Sequence, residues 1–126
     1  MGLDNYAAYP EGHSKWTKEE NLVPHEVFPT LNLCGGLFSA GCGNSFRGKV
    51  YNDFVYFATG YSLYEDVIPN DDVGVIVEKL SNHEEILNEF NEGGLNSYGI
   101  SLDEVKDLVK WFETVHNEGA QVTSWW

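Results

Sequence analysis

An arginine and a lysine two residues apart, closing a glycine-rich run, are the side chains of this sequence best suited to chemistry. The run is Cys34-Gly35-Gly36-Leu37-Phe38-Ser39-Ala40-Gly41-Cys42-Gly43-Asn44-Ser45-Phe46-Arg47-Gly48-Lys49. It holds five of the 13 glycines, both cysteines and the only arginine. Glycines let backbone N–H groups come close to a ligand, and the first turn of a helix leaves N–H groups unpaired. A loop of this kind feeding a helix is suited to an anion. Gly43 to Lys49 also spells G-x4-G-K, but Val50 stands where a Walker loop needs Ser or Thr for magnesium. Leu31-Asn32-Leu33 makes a poor strand to precede such a loop, and no later strand ends in an acid for the metal. The expectation is therefore a looser site for phosphate or pyrophosphate. Gly35, Gly36, Ser39, Gly41, Gly43, Asn44 and Ser45 offer the loop, and Arg47 and Lys49 meet the phosphates. Tyr6, Tyr51 or Trp16 stacks on a base. The plainer alternative is a tight turn whose two cations pair with local acids.

The other reactive side chains suggest less. Cys34 and Cys42 are too few for a disulfide scaffold and lie at no zinc-finger spacing from His13, His25, His83 or His116. They read as free thiols of a reducing compartment. A thiol nucleophile beside Arg47 lacks a base placed by the sequence. No catalytic residue, metal ligand or cofactor is assigned. The aromatics Tyr6, Tyr9, Trp16, Tyr51, Tyr61, Tyr64, Trp111, Trp125 and Trp126 exceed what a small core needs. The terminal Trp pair points to docking on the body or to a homo-oligomer interface.

The elements that must position these residues read as α+β, mainly α. The expectation is one compact domain, 1–126, with three to four helices, an irregular glycine-rich N-terminal half and a short sheet. Residues 1–33 show no sustained period and suggest an irregular or short-strand layer over a core. Thr17-Lys18-Glu19-Glu20 suggests one helical turn capped by Thr17. Lys49 to Thr59 is apolar nearly all round, which predicts a helix buried on most faces and ended by Gly60. Tyr61 to Ile68 reads as a connector. A helix follows with Asn70 or Asp71 as N-cap and Val73, Ile76, Val77 and Leu80 facing inward. Another spans about His83 to Asn91, with Ile86, Leu87 and Phe90 inside and Gly93-Gly94 at its end. Ser101-Leu102-Asp103-Glu104 is a capping box opening a helix over Leu102 to His116. Its inner stripe is Val105, Leu108, Val109, Phe112 and Val115, and Gly119 stops it. Gln121 to Trp126 suggests a terminal strand.

Charge narrows the partners. The net charge is −13, and residues 61–126 carry 14 acidic against three basic side chains. A nucleic-acid binder shows a basic face, and anionic lipid repels acids, so neither nucleic acid nor membrane is an expected partner. No apolar run approaches a membrane span. Met1-Gly2-Leu3-Asp4 lacks the pattern of a secretory signal, and the expected location is the cytoplasm.

The chain resembles a group of small uncharacterised proteins of phages and bacteria. The residues that carry this are Met1-Gly2-Leu3-Asp4-Asn5-Tyr6-Ala7, Leu33-Cys34-Gly35-Gly36-Leu37-Phe38-Ser39 and Ser45-Phe46-Arg47-Gly48-Lys49-Val50-Tyr51. Gly60-Tyr61-Ser62-Leu63-Tyr64 and Ile68-Pro69 continue it over roughly the first 70 residues. The resemblance implies a phage context inside a bacterial host. There, a small binding protein for a phosphorylated, nucleotide-like ligand suits the role of a sponge for an immune signal. Two alternatives remain open. One is an enzyme that cleaves such a signal with His13, His25 or His83 as base. The other is an inhibitor that meets a basic host protein through its acidic face.

Overall fold

A computed structural model describes residues 3–31, 33 and 43–125. The fold is α+β and mainly helical, with helices packed on a four-stranded antiparallel sheet. The strands are β1 (Asp4–Ala8), β2 (Ser45–Arg47), β3 (Val67–Ile68) and β4 (Gln121–Trp125). The helices are α1 (Gly48–Thr59), α2 (Asn70–Lys79), α3 (His83–Glu92) and α4 (Leu102–Asn117). The sheet order is β2-β1-β4-β3. The first strand therefore lies at the centre beside the last one, with Asp4 opposite Trp125 and Ala8 opposite Gln121. The N-terminal segment thus supplies a short strand at the centre of the sheet and then irregular chain, as the expected short-strand or irregular layer over the core. Where β2 leaves its edge, residues 21–23 take over: the Val23 N–H donates to the Ala7 carbonyl (3.1 Å) and the Tyr9 N–H to that of Asn21 (2.7 Å).

Side-chain alternation gives the sheet two faces. Asn5, Ala7, Phe46, Ile68 and Val122 point into the core and are all buried. Trp111 of α4 is fully buried at the middle of that core. Its ring meets Phe46 edge-on at 4.7 Å and Phe112 edge-on at 5.4 Å, and it stacks on Phe28 at 5.7 Å. The Trp111 indole N–H donates to the Gly43 carbonyl (2.9 Å).

The helix boundaries follow local chemistry. At the head of α4, the Ser101 hydroxyl accepts from the Glu104 N–H (3.1 Å) and the Glu104 carboxylate from the Ser101 N–H (3.2 Å). The same carboxylate accepts the Tyr51 hydroxyl proton (2.7 Å), which ties α1 to α4. Gly60 and Gly119 end their helices with φ of +79° and +68°. Four expectations are corrected. The N-cap of α2 is Pro69, whose backbone is extended, and Asn70 is already helical; the Asn70 amide donates to the carbonyls of His116 (3.1 Å) and Ala120 (2.8 Å). Thr17 to Glu20 is a bend and not a helical turn, although the Thr17 hydroxyl does accept the Glu20 N–H (2.9 Å). The presumed connector Tyr61 to Ile68 ends in β3. α1 is buried on one face only, through Tyr51, Phe54 and Val55, and leaves Tyr56 61% and Phe57 43% exposed.

Gly48 begins α1 where the helix crosses β1. A Cβ there would overlap the Asn5 amide oxygen and come within 2.9 Å of the Leu3 side chain. Both neighbours are held: Asn5 donates to the Leu63 carbonyl (2.9 Å), and Leu3 is in the core. Gly48→Ala is therefore expected to destabilise the chain by about 1–3 kcal/mol through overpacking. Urea unfolding of the variant checks this, and an unchanged midpoint would contradict the packing described.

Candidate functional site

The outer face of the sheet collects three of the residues expected to bind a ligand. Alternation places Ser45 and Arg47 of β2 and Tyr6 of β1 on it, together with Asp4, Thr123 and Trp125. Register puts Asp4 between Arg47 and Trp125, and Tyr6 between Ser45 and Thr123. Ser45 is buried, Tyr6 is half-buried and the Arg47 side chain is 30% exposed. Arg47 Nε lies 3.2 Å from Asp4 Oδ1. The two atoms are buried and off the line of a hydrogen bond, so their attraction is Coulombic. This pair fixes one edge of the guanidinium. Among the described residues, no other side chain holds the rest of it.

Arg47 is also the N-cap of α1. No side chain caps that helix and its first turn has no acid, whereas α2, α3 and α4 each start with two. The exposed Lys49 stands in that turn, and its N–H makes a long bond to the Leu3 carbonyl (3.4 Å). The positive end of the α1 dipole thus coincides with two cationic side chains.

The remaining expected residues do other work. Tyr51 is fully buried with its hydroxyl on Glu104, so it presents no ring face to a base. Asn44 ties two segments together: its amide donates to the Val23 carbonyl (2.8 Å), and its own carbonyl accepts from Ala7 (2.9 Å). Gly43 is a close-approach point, since a Cβ there would stand 3.0 Å from Phe28 Cβ. No loop cradle forms over 43–48, because Ser45 to Arg47 is a strand paired with β1 and the helix starts at once at Gly48. Gly35, Gly36, Ser39, Gly41, Cys34 and Cys42 lie outside the described residues, as does Trp126. Trp16 is half-buried against the core, and Trp111 is a core residue.

The histidines are engaged away from this face. His83 Nδ1 bonds the Leu80 carbonyl (3.0 Å), and His25 lies 3.3 Å from Glu26. His13 stacks on Tyr9 at 4.5 Å and bonds the Glu118 carbonyl (3.1 Å). Among the described residues, no group of His, Cys, Asp and Glu is placed to hold a metal ion, and no helix is long and apolar enough to cross a membrane. No protein-family profile, curated protein or solved structure matches the chain.

Two outcomes follow. Arg47→Met leaves the buried Asp4 carboxylate without its counter-charge and is expected to cost about 2 kcal/mol in chemical unfolding. Asp4→Asn in the same background should recover part of that loss, and no recovery would show that the pair is not coupled. Separately, the part-buried Tyr9 hydroxyl donates to Glu118 (2.9 Å). Burial first, and then this carboxylate, push the Tyr9 phenol from 10.0 up to about 12. The neutral phenol is thus favoured by folding. Its contribution is complete below pH 10 and is lost as pH rises through about 12. Tyr9→Phe should flatten the alkaline decline in stability over that window, measured by melts across pH.

Proposed function

We propose that this chain is a small binding protein for a phosphorylated, nucleotide-like ligand, held on the outer sheet face where β2 runs into α1. One observation carries the reading: Arg47, Ser45 and Tyr6 share a face beside the uncapped, acid-free start of α1, with Lys49 in its first turn. Arg47 offers phosphate the donors that Asp4 leaves free, and Asp4 orients the guanidinium. Lys49 and the α1 amides add positive charge. Tyr6, half-buried on the same face, adds an aromatic ring. Loop amides of 45–47 are not part of the site, because the sheet uses that segment.

The role that fits is sequestration. The three histidines considered as bases lie on other segments, at Glu118, Glu26 and Leu80, and not on the β2–α1 face. The ligand proposed is a bacterial immune nucleotide, captured in the host cytoplasm. A sponge needs tight binding and slow release, not turnover.

Native mass spectrometry of protein purified from a bacterial host, followed by denaturation, tests this. A stoichiometric nucleotide released intact is the expected result, and Arg47→Lys with Lys49→Ala should weaken its rebinding at least about tenfold. Released product in place of the signal would overturn sequestration in favour of cleavage. Protein that stays empty after incubation with cyclic and ADP-ribose nucleotides would overturn the ligand class.

A further inference from the structure

On the far side of the molecule, α1 turns apolar residues outward. Tyr56, Phe57 and Leu95 are 61%, 43% and 47% exposed. With buried Phe90 as floor they line a groove of about 720 Å³ between α1, α3 and the segment after α3. Its walls are braced. Phe90 meets Phe54 edge-on at 5.4 Å and Phe57 at 5.5 Å, and Lys79 Nζ donates to the Thr59 carbonyl at the end of α1 (3.3 Å). A preformed apolar groove of this size suits the side chains of a docking segment.

Charge selects the segment. α3 carries Glu84, Glu85, Glu89 and Glu92, all exposed, and no lysine or arginine. None of the four makes an ion pair among the described residues. The groove's own lining holds one carboxylate, Asp53, and one cation, Lys79, whose ammonium is engaged with the Thr59 carbonyl, so the acidic bias comes from α3 beside it. A second copy of this chain would bring −13 against −13. We infer that the α1–α3 groove docks a basic amphipathic helix of a partner protein, with its apolar stripe on Tyr56, Phe57 and Leu95 and its cations over the α3 carboxylates. This is the helix-in-groove mode, in which anchors at i, i+3, i+4 and i+7 give affinity and complementary charge gives orientation and rate. The surface is separate from the Arg47 face, so either can fail without the other.

The probe is a fluorescent 14-residue Leu/Lys peptide with leucines at i, i+3, i+4 spacing, set against a scrambled peptide of equal charge. Anisotropy titration at near-physiological salt should show the striped peptide binding at least about tenfold more tightly than the scramble. Tyr56→Ser with Leu95→Lys should cost at least about tenfold, and Glu89→Lys with Glu92→Lys should weaken binding and flatten its salt dependence. Circular dichroism confirms that these surface variants are folded. Equal binding of both peptides would show attraction by net charge alone and overturn the proposal. So would affinity indifferent to the groove substitutions. A dimer in sedimentation that Leu95→Lys dissolves would overturn it in favour of a second copy.

Discussion

The hydrogen bond from the Trp111 indole to the Gly43 carbonyl is the constraint around which the structure is arranged. The indole is fully buried, and a buried N–H left unpaired costs about 1–3 kcal/mol. Its acceptor is a backbone atom 68 residues away in sequence, so the bond sets α4 against the start of β2. Phe46 then meets the indole edge-on and Phe28 stacks on it. The N-terminal loop, the edge strand and the last helix are thereby referred to one ring. Gly43 permits this because Phe28 packs where its side chain would be.

The second dependence is long-range pairing. β1 and β4 lie at opposite ends of the described chain and pair over five residues, Asp4 to Ala8. Of its pairings only the short one with residues 21–23 is near in sequence, and the strands β2 and β4 come from far along the chain, so the sheet closes only after most of the chain is collected. Loop closure over such separations is costly and slow compared with forming the helices. The helices therefore carry the local order, and the sheet reports that the rest has assembled. Buried polar residues in β1 belong to this closure: Asn5 reaches the Leu63 carbonyl and Asp4 faces Arg47.

This division explains what could be read from the sequence. The four helices were legible because their signals are local, as in the Ser101–Glu104 box, the helical spacing of Val73 and Ile76, and the glycines after Thr59 and Glu118. The sheet was not. β1 is Asp-Asn-Tyr-Ala-Ala with two buried polar residues, so it shows no alternation of apolar and polar, and β2 and β3 are three and two residues long. The aromatics misled for a related reason. Nothing local distinguishes Tyr51 and Trp111, which fill the core, from Tyr56 and Trp125, which face outward. Of the expected site, the side chains Tyr6, Ser45 and Arg47 do converge on one face, but strand pairing between distant segments brings them there, not a loop.

The G-x4-G-K spacing has a physical reading different from the one its letters suggest. Gly43 makes room for Phe28 and Gly48 makes room for Asn5, so both glycines serve backbone approach within the protein. The residues between them are held in the sheet. An anion at this place has to be recognised by side chains and one helix end, at short range, on a chain whose net charge repels it from afar. Screening confines that repulsion to about 8–10 Å at physiological salt, so contact can still be favourable while approach is not accelerated. The α3 side has the reverse character, because its unpaired carboxylates draw cations in from a distance and its apolar groove acts only on contact. The same charge imbalance thus slows arrival at one face and speeds it at the other. If the sheet face holds the proposed ligand, tight binding there has to come from slow release and not from fast arrival.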